Sequence, residues 1–241
     1  MKTFFFFARN LKKTFLWLRL HVIIGPFEKM FFNLANMSKL SRWAQQQKKK
    51  AAFNDFFSYK FDYNKRFSLY QHITDAETKN EPIEYLEFGV AGGSSFKWWV
   101  EHNSNHQSKF HGFDTFEGLP EDWGPFKAGD MSAGSKTPDI QDSRVKFYKG
   151  LFQQTLPGFI QKYNSSNRKV IHMDADLYTS TLYSLTSLAP LLKKDDIILF
   201  DEYLVPSHEF LAFNNFIKSY YINVELIGAA NNYLFTAFKI V

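Results

Sequence analysis

The chain has 241 residues, 45% of them hydrophobic and 19% aromatic, with a formal net charge of +5 and no cysteine. That length suits one domain with an appendage, and the apolar content suffices for one large core. The missing cysteines exclude disulfides, thiolate metal sites and a cysteine nucleophile; they agree with a reducing cytoplasmic location. Charge divides unevenly: residues 1–50 hold 11 Lys/Arg against the single acid Glu28, so the body that follows is net acidic. A basic arm on an acidic body is the expected organisation, and the acidic body argues against nucleic acid as a partner.

In chain order, the first stretch, "MKTFFFFARNLKKTFLWLRLHVIIGPF", is apolar but interrupted early by Arg9, Lys12 and Lys13. It reads neither as a secretory leader nor as a membrane span, which needs about 20 nearly uncharged residues. Phe4, Phe7, Leu11, Phe15, Leu18 and Val22 step by three or four, the spacing of one helical face. Two placements fit this stripe equally. One is a peripheral membrane contact through residues 1–25, on the inner face of the membrane. The other is packing against the body or against a second subunit in a homo-oligomer. Gly25-Pro26 should break the helix, and a second helix should run on to the polar "QQQKKK". The expected division is a basic, Phe-rich helical extension over 1–50, a helical cover over 51–80 and a core over 81–241. The aromatic-dense residues 52–77 should form a helix covering one sheet edge.

From residue 82 strands and helices alternate. "IEYLEF" (83–88), "KFHGF" (109–113), "RVKFYKG" (144–150), "KVIHMD" (169–174) and "DDIILFD" (195–201) read as buried strands, with helices after most of them. "NVELIGAANNYLFTAFKIV" closes the chain as two strands around Asn231-Asn232. This pattern predicts an α/β fold: a Rossmann-like, doubly wound, mostly parallel seven-stranded sheet with an antiparallel C-terminal hairpin. Ligands of such sheets bind beyond the carboxyl ends of the strands.

Gly89, Gly92 and Gly93 fill the first strand-to-helix turn, and Asp114 ends the next strand. The turn permits close approach of a ligand to the backbone, and the acid can accept hydrogen bonds from both ribose hydroxyls. Ala91 breaks the dinucleotide fingerprint, and Glu87 would repel phosphates. Glu87 suits a cofactor with an ammonium group, which favours S-adenosylmethionine over NAD.

"YLEFGVAGGSS", "GFDTFEGLPEDW", "KGLFQQTLPGF", "HMDADLYTSTLYSL" and "LFDEY", in this order, resemble the macrocin O-methyltransferase family over roughly residues 82–240. The resemblance implies a class I S-adenosylmethionine-dependent enzyme that methylates a sugar hydroxyl of a glycoside, typically with a divalent metal. It further implies that Glu87, Gly89, Gly93, Ser94 and Ser95 hold the methionine portion of the cofactor and that Asp114 binds the ribose. Phe116 to Leu119 and Gly150 would frame the adenine side. Asp174, Asp201 and Glu202 would hold Mg²⁺ or another divalent cation, Glu202 standing where many relatives have Asp.

The residues themselves give this acid set a reason. Asp174 ends the fourth predicted strand, and Asp201 and Glu202 end the fifth; as neighbours they would converge at the pocket mouth, where hard oxygen donors suit Mg²⁺. Asp174 is also the candidate base, with His208 as a second. Asp176 reads as the cap of the helix near Tyr178. His172 reads as a core or supporting residue. Trp123, Phe126 and Tyr203 are candidates for stacking on a sugar, and the Gly/Pro/Ser-rich 124–142 for a substrate lid. The acceptor is expected to be a small molecule or a glycan. Two readings compete: a metal-independent small-molecule methyltransferase, and a membrane-surface binding protein whose cofactor site has decayed.

Overall fold

The structure is a computed structural model that describes residues 2–48 and 50–241; Met1 and Lys49, both within the expected basic extension, lie outside the described residues. Its centre is an eight-stranded sheet in the order β1-β7-β8-β6-β5-β2-β3-β4. The strands are β1 (Phe53–Asn54), β2 (Ile83–Phe88), β3 (Lys109–Asp114), β4 (Val145–Lys149), β5 (Arg168–Met173), β6 (Ile197–Phe200), β7 (Val224–Ala230) and β8 (Phe235–Ile240). β4, β3, β2, β5 and β6 run parallel, and β8 inserts antiparallel between β6 and β7.

The central strands are apolar because both sheet faces are covered. Side chains alternate. Leu86, Phe88, Ile171 and Met173 face a core shared with α6 (Phe152–Lys162), α7 (Tyr178–Leu188) and α8 (Glu209–Ser219). Tyr85 and Val170 face the opposite core under α4 (Lys65–Ile73) and α5 (Ser94–His102).

Two expectations need correction. The sheet has eight strands rather than seven, since Phe53 and Asn54 pair with Gly228 and Ala229 on the far edge. Two residues carry no alternation, so this strand had no periodic signature. For the same reason the cover over 51–80 is helical only from Lys65, where α4 begins and runs into a wider π-helical turn (Thr74–Thr78).

The first residues are helical, as the spacing requires: α1 (Lys2–Trp17), α2 (His21–Ile24), a 3₁₀ turn (Gly25–Phe27) and α3 (Glu28–Gln47). α1 ends earlier than expected, with Arg19 at φ +50°. No glycine or proline marks that break, and nothing in the sequence explains it. The C-terminal half of α3 belongs to the body. Leu40 and Ala44 are buried in the α6–α8 core. The Trp43 ring lies 5.0 Å from Tyr203 and 5.2 Å from Tyr233.

The chain order reverses direction in the sheet between β2 and β5: β3 and β4 build outward on one side of β2, and β5 returns to the other. That topological switch point leaves a crevice beyond the carboxyl ends of β2 and β5, where the turns diverge.

Candidate active site

A cleft of about 600 Å³ occupies this crevice. Gly89 and Ala91 from the turn after β2, Asp114 after β3, and Asp174 and Asp176 after β5 line it, with Glu202 after β6. The turns meet closely. The Asp174 N–H donates to the Phe88 carbonyl (2.9 Å). A Cβ on Gly89 would come within 1.8 Å of the Asp174 carbonyl oxygen, and Gly89 has φ +94°. Only glycine permits that conformation without strain and leaves room for the neighbouring turn.

After β3, the Asp114 carboxylate accepts the N–H of Ala91 (2.7 Å) and of Phe116 (2.6 Å). Both oxygens are thus fixed, half-buried and facing the cleft. Residues 118–121 and Trp123 form the opposite wall. Thr179, at the start of α7, donates its hydroxyl to Glu121 (2.7 Å), tying that wall to the cleft floor.

Under the floor lies a buried polar chain. Glu87 accepts from Ser95 Oγ (2.9 Å) and from the Tyr85 hydroxyl. His172 donates from Nδ1 to the Tyr85 oxygen (2.8 Å) and from Nε2 to Asp201 (2.8 Å). Asp201 also accepts from Tyr70 (3.0 Å) and from Arg66 (3.3 Å). Arg66 donates to the Tyr63 hydroxyl (2.9 Å) as well. Burial disfavours a charged His172, but Asp201 and Glu87 outweigh it and push the pKa up to about 10. Burial pushes Asp201 up, yet His172 and then Arg66 hold it below the ordinary carboxylate value.

The acids that face the cleft behave differently. Burial and then Asp201 push Asp174 well above its ordinary value. Burial, Asp201 and Asp114 bring Asp176 up to about 7. Burial, Asp176 and Asp201 do the same for Glu202, to about 7. Clustered carboxylates repel one another, and either protons or a cation relieve them.

Of the sequence-predicted residues, the cleft gathers Gly89, Asp114, Asp174 and Glu202. The metal expectation needs correction in its ligand set. Among the described residues no three His, Asp or Glu side chains are placed to hold a metal ion. Asp201 is nearly inaccessible, and both its oxygens are engaged by His172, Tyr70 and Arg66. Asp174, Asp176 and Glu202 line the cleft and are oxygen acids of the type a hard divalent cation prefers, pushed up first by burial and then by neighbouring carboxylates, but they do not form a three-donor metal set.

Glu87 does not face the cleft, because its carboxylate is turned to Tyr85 and Ser95. Ser95 is engaged with it, and Ser94 accepts from Arg66 (3.4 Å). Gly93 packs under Pro138, Phe116 is buried beside Phe147, and Gly150 donates its N–H to the Asp114 carbonyl; these three support the cleft from behind. Asp176 is not a helix cap: α7 is preceded by Leu177 without a side-chain cap, and Asp176, at φ +56°, turns into the cleft. Tyr203 is a core residue packed on Trp43 and Phe238, so it cannot stack on a sugar. Trp123 does line the cleft, stacked on Phe126 with centroids 5.3 Å apart. From 124–142 only Met131 reaches the cleft wall. His208 stands behind Trp123, edge to face at 6.4 Å, with Nδ1 buried and unpartnered. Burial, and secondarily Lys29, lower its pKa against the opposing effects of Glu121 and Asp176.

Sequence reasoning missed Tyr63, Arg66 and Tyr70. Tyr63 stands in the turn before α4, and Arg66 and Tyr70 on α4 meet Asp201 only through the fold, 135 and 131 positions away, so no local signal marked them.

Residues 86–203 match a protein family described as a methyltransferase domain. The chain is 29% identical to 8-demethyl-8-(2,3-dimethoxy-alpha-L-rhamnosyl)-tetracenomycin-C 4'-O-methyltransferase of Streptomyces olivaceus, over 52% of this chain and 54% of that protein. It is 27% identical to demethyldecarbamoylnovobiocin O-methyltransferase of Streptomyces niveus, over 57% of this chain and 59% of that protein. The chain thus spans little more than half the length of these curated relatives. The crystal structure of CalS11, calicheamicin methyltransferase, superposes with a TM-score of 0.56 at 20% identity, covering 74% of this chain and 78% of that one. At that identity the likeness establishes the fold.

Proposed function

We propose that this chain is an S-adenosylmethionine-dependent O-methyltransferase that methylates a sugar hydroxyl of a glycoside or surface polysaccharide, assisted by a divalent cation. The observation that carries the reading is the cleft itself. It joins a fixed carboxylate suited to a ribose, Asp114, to a cluster of acids suited to an acceptor hydroxyl, Asp174, Asp176 and Glu202. The matched methyltransferase domain and the two curated O-methyltransferases, one of them named for a rhamnosyl-bearing compound, support it.

S-adenosylmethionine supplies an electrophilic methyl group: transfer forms a C–O bond, breaks the C–S bond and releases the hydroxyl proton. The residues of this chain do the rest. Gly89 and Ala91 let the donor lie against the backbone, and Asp114 accepts from its ribose. Trp123 offers a flat apolar face to a sugar ring. Asp174 lines the cleft and is the group proposed to take the acceptor hydroxyl's proton. His208, whose pKa burial lowers, stands behind Trp123 as a further proposed proton acceptor. A cation held by Asp174 and Glu202 would add Lewis acidity at that hydroxyl. Holding the oxygen in line with the methyl group is worth on the order of 7–11 kcal/mol in well-oriented systems. The engagement of Asp201 by three partners favours a second reading, in which the acids act without a metal.

Titration calorimetry with S-adenosylhomocysteine tests the donor site. Wild type should bind, and Asp114→Ala should weaken binding by about tenfold or more, the worth of a charged hydrogen bond. No heat with wild type would overturn the proposal in favour of a surface-binding protein. Mg²⁺ should raise the melting temperature of wild type but not of Asp174→Asn/Glu202→Gln, through binding to the folded state alone. An unchanged melting temperature, with turnover intact in EDTA, would establish the metal-independent reading.

A further inference from the structure

The body leaves α1, α2 and the first half of α3 uncovered. No side chain among residues 4–27 is buried: Phe4 is 71% exposed, Phe7 67% and Trp17 81%. The apolar stripe therefore does not pack on its own body. The exposed apolar surface continues to Phe31 and Met37, and burial begins only with Asn36 and Leu40 of α3. Within the same segment lie Arg9, Lys12, Lys13 and Arg19, with no acid before Glu28. No helix is long and apolar enough to cross a membrane.

We infer that residues 4–37 dock the protein on a bilayer surface bearing anionic headgroups, with the apolar side chains in the headgroup–acyl boundary and the basic ones against the phosphates. Two observations choose this occupant. The first is charge: a segment with four cations and no acid before Glu28 complements an anionic surface and repels a second copy of itself. The second is shape. Phe4, Phe5, Phe6 and Phe7 are consecutive in α1 and all exposed, so at 100° per residue they point around the whole helix. Phenylalanines on every side of the first turn exceed the single stripe that a helix-binding protein groove buries. Trp43 and Leu40 anchor α3 in the core, so docking fixes the whole body rather than a loose tail. Resting on the proposed function, this favours acceptors presented at the membrane, such as lipid-linked glycans.

Co-sedimentation of the full chain with phosphatidylcholine vesicles, with and without phosphatidylglycerol, tests the inference. Binding should rise with the anionic fraction and fall with salt. Lys12→Glu/Lys13→Glu and Phe4→Ser/Phe7→Ser/Leu11→Ser should each lower it by about tenfold or more, from the charge and apolar area removed. Trp17 emission should shift to the blue on vesicles, a shift absent in Trp17→Phe. Vesicle binding that is absent, or unaffected by these substitutions, overturns the inference. A dimer in analytical ultracentrifugation that the same substitutions dissociate would instead assign the arm to a second copy. S-adenosylhomocysteine binding should be unchanged in both variants; its failure in wild type, with vesicle binding intact, would sink only the methyltransferase reading.

Discussion

His172 is buried between two carboxylates from the strands on either side, and they favour its protonated form. Glu87 on β2 and Asp201 after β6 lie on either side of it, directly or through Tyr85. Breaking a buried charge network by removing one member costs about 3–5 kcal/mol, because the remaining charges lose their partner and gain no water. His172→Gln should therefore destabilise the protein by that amount in urea unfolding, and should also loosen Asp201 and Arg66. A loss under about 1 kcal/mol would mean that the network is neutral, with a proton shared by the carboxylates. The same chain shows why Glu87 attracted a cofactor role. An acid before a glycine turn suggests an ammonium ligand, and here the cation that meets it is the protein's own imidazolium. The partner stands 85 positions away in sequence, at the same level of an adjacent strand, which the sequence expresses only once the pairing of β2 with β5 is known.

Elements are held in register by a second ionic knot. Glu77, in the π-helical turn after α4, accepts from Arg168 at the start of β5 (2.8 Å) and from Lys239 on β8 (2.8 Å). Burial pushes the Glu77 carboxyl up, but those two cations outweigh it and hold it below its ordinary 4.5. A depressed carboxyl contributes stability that is present above its unfolded pKa and lost as pH falls through the folded one. Glu77→Gln should thus cost about 1 kcal/mol at pH 7, discounted for partial exposure, and the gap to wild type should close as pH falls through the depressed folded pKa. A gap that persists in acid would show a packing effect instead. The ends and turns of such elements are also where sequence reading faltered. β2, β5 and β6 were legible because strands buried on both faces are continuous apolar runs bounded by polar turns. β1 is too short to show a period, and Asp176 looked like a cap because an acid two residues before a helix usually is one. Arg66 had no local sign of its role, since its value arises where α4 meets Asp201, 135 positions later.

At the scale of the molecule the charge division survives folding. The acidic body contains the sheet, both cores and the cleft, while the basic segment stands outside them up to the middle of α3. Stability should divide the same way. Side chains that folding leaves in water contribute little to it, typically within about 0.5 kcal/mol each way. Deleting residues 1–27 removes no buried side chain among the described residues and leaves Leu40, Trp43 and Ala44 in place. The melting temperature should therefore move by less than about 4 °C, the shift expected for about 1 kcal/mol in a domain of this size. Donor binding, proposed for Gly89 and Asp114, should persist, and solubility should rise as exposed phenylalanines are lost. Differential scanning calorimetry with S-adenosylhomocysteine present and absent measures both quantities. A large fall in melting temperature would show that the arm is part of the folding unit. Its exposed face would then need a structural explanation before a docking one.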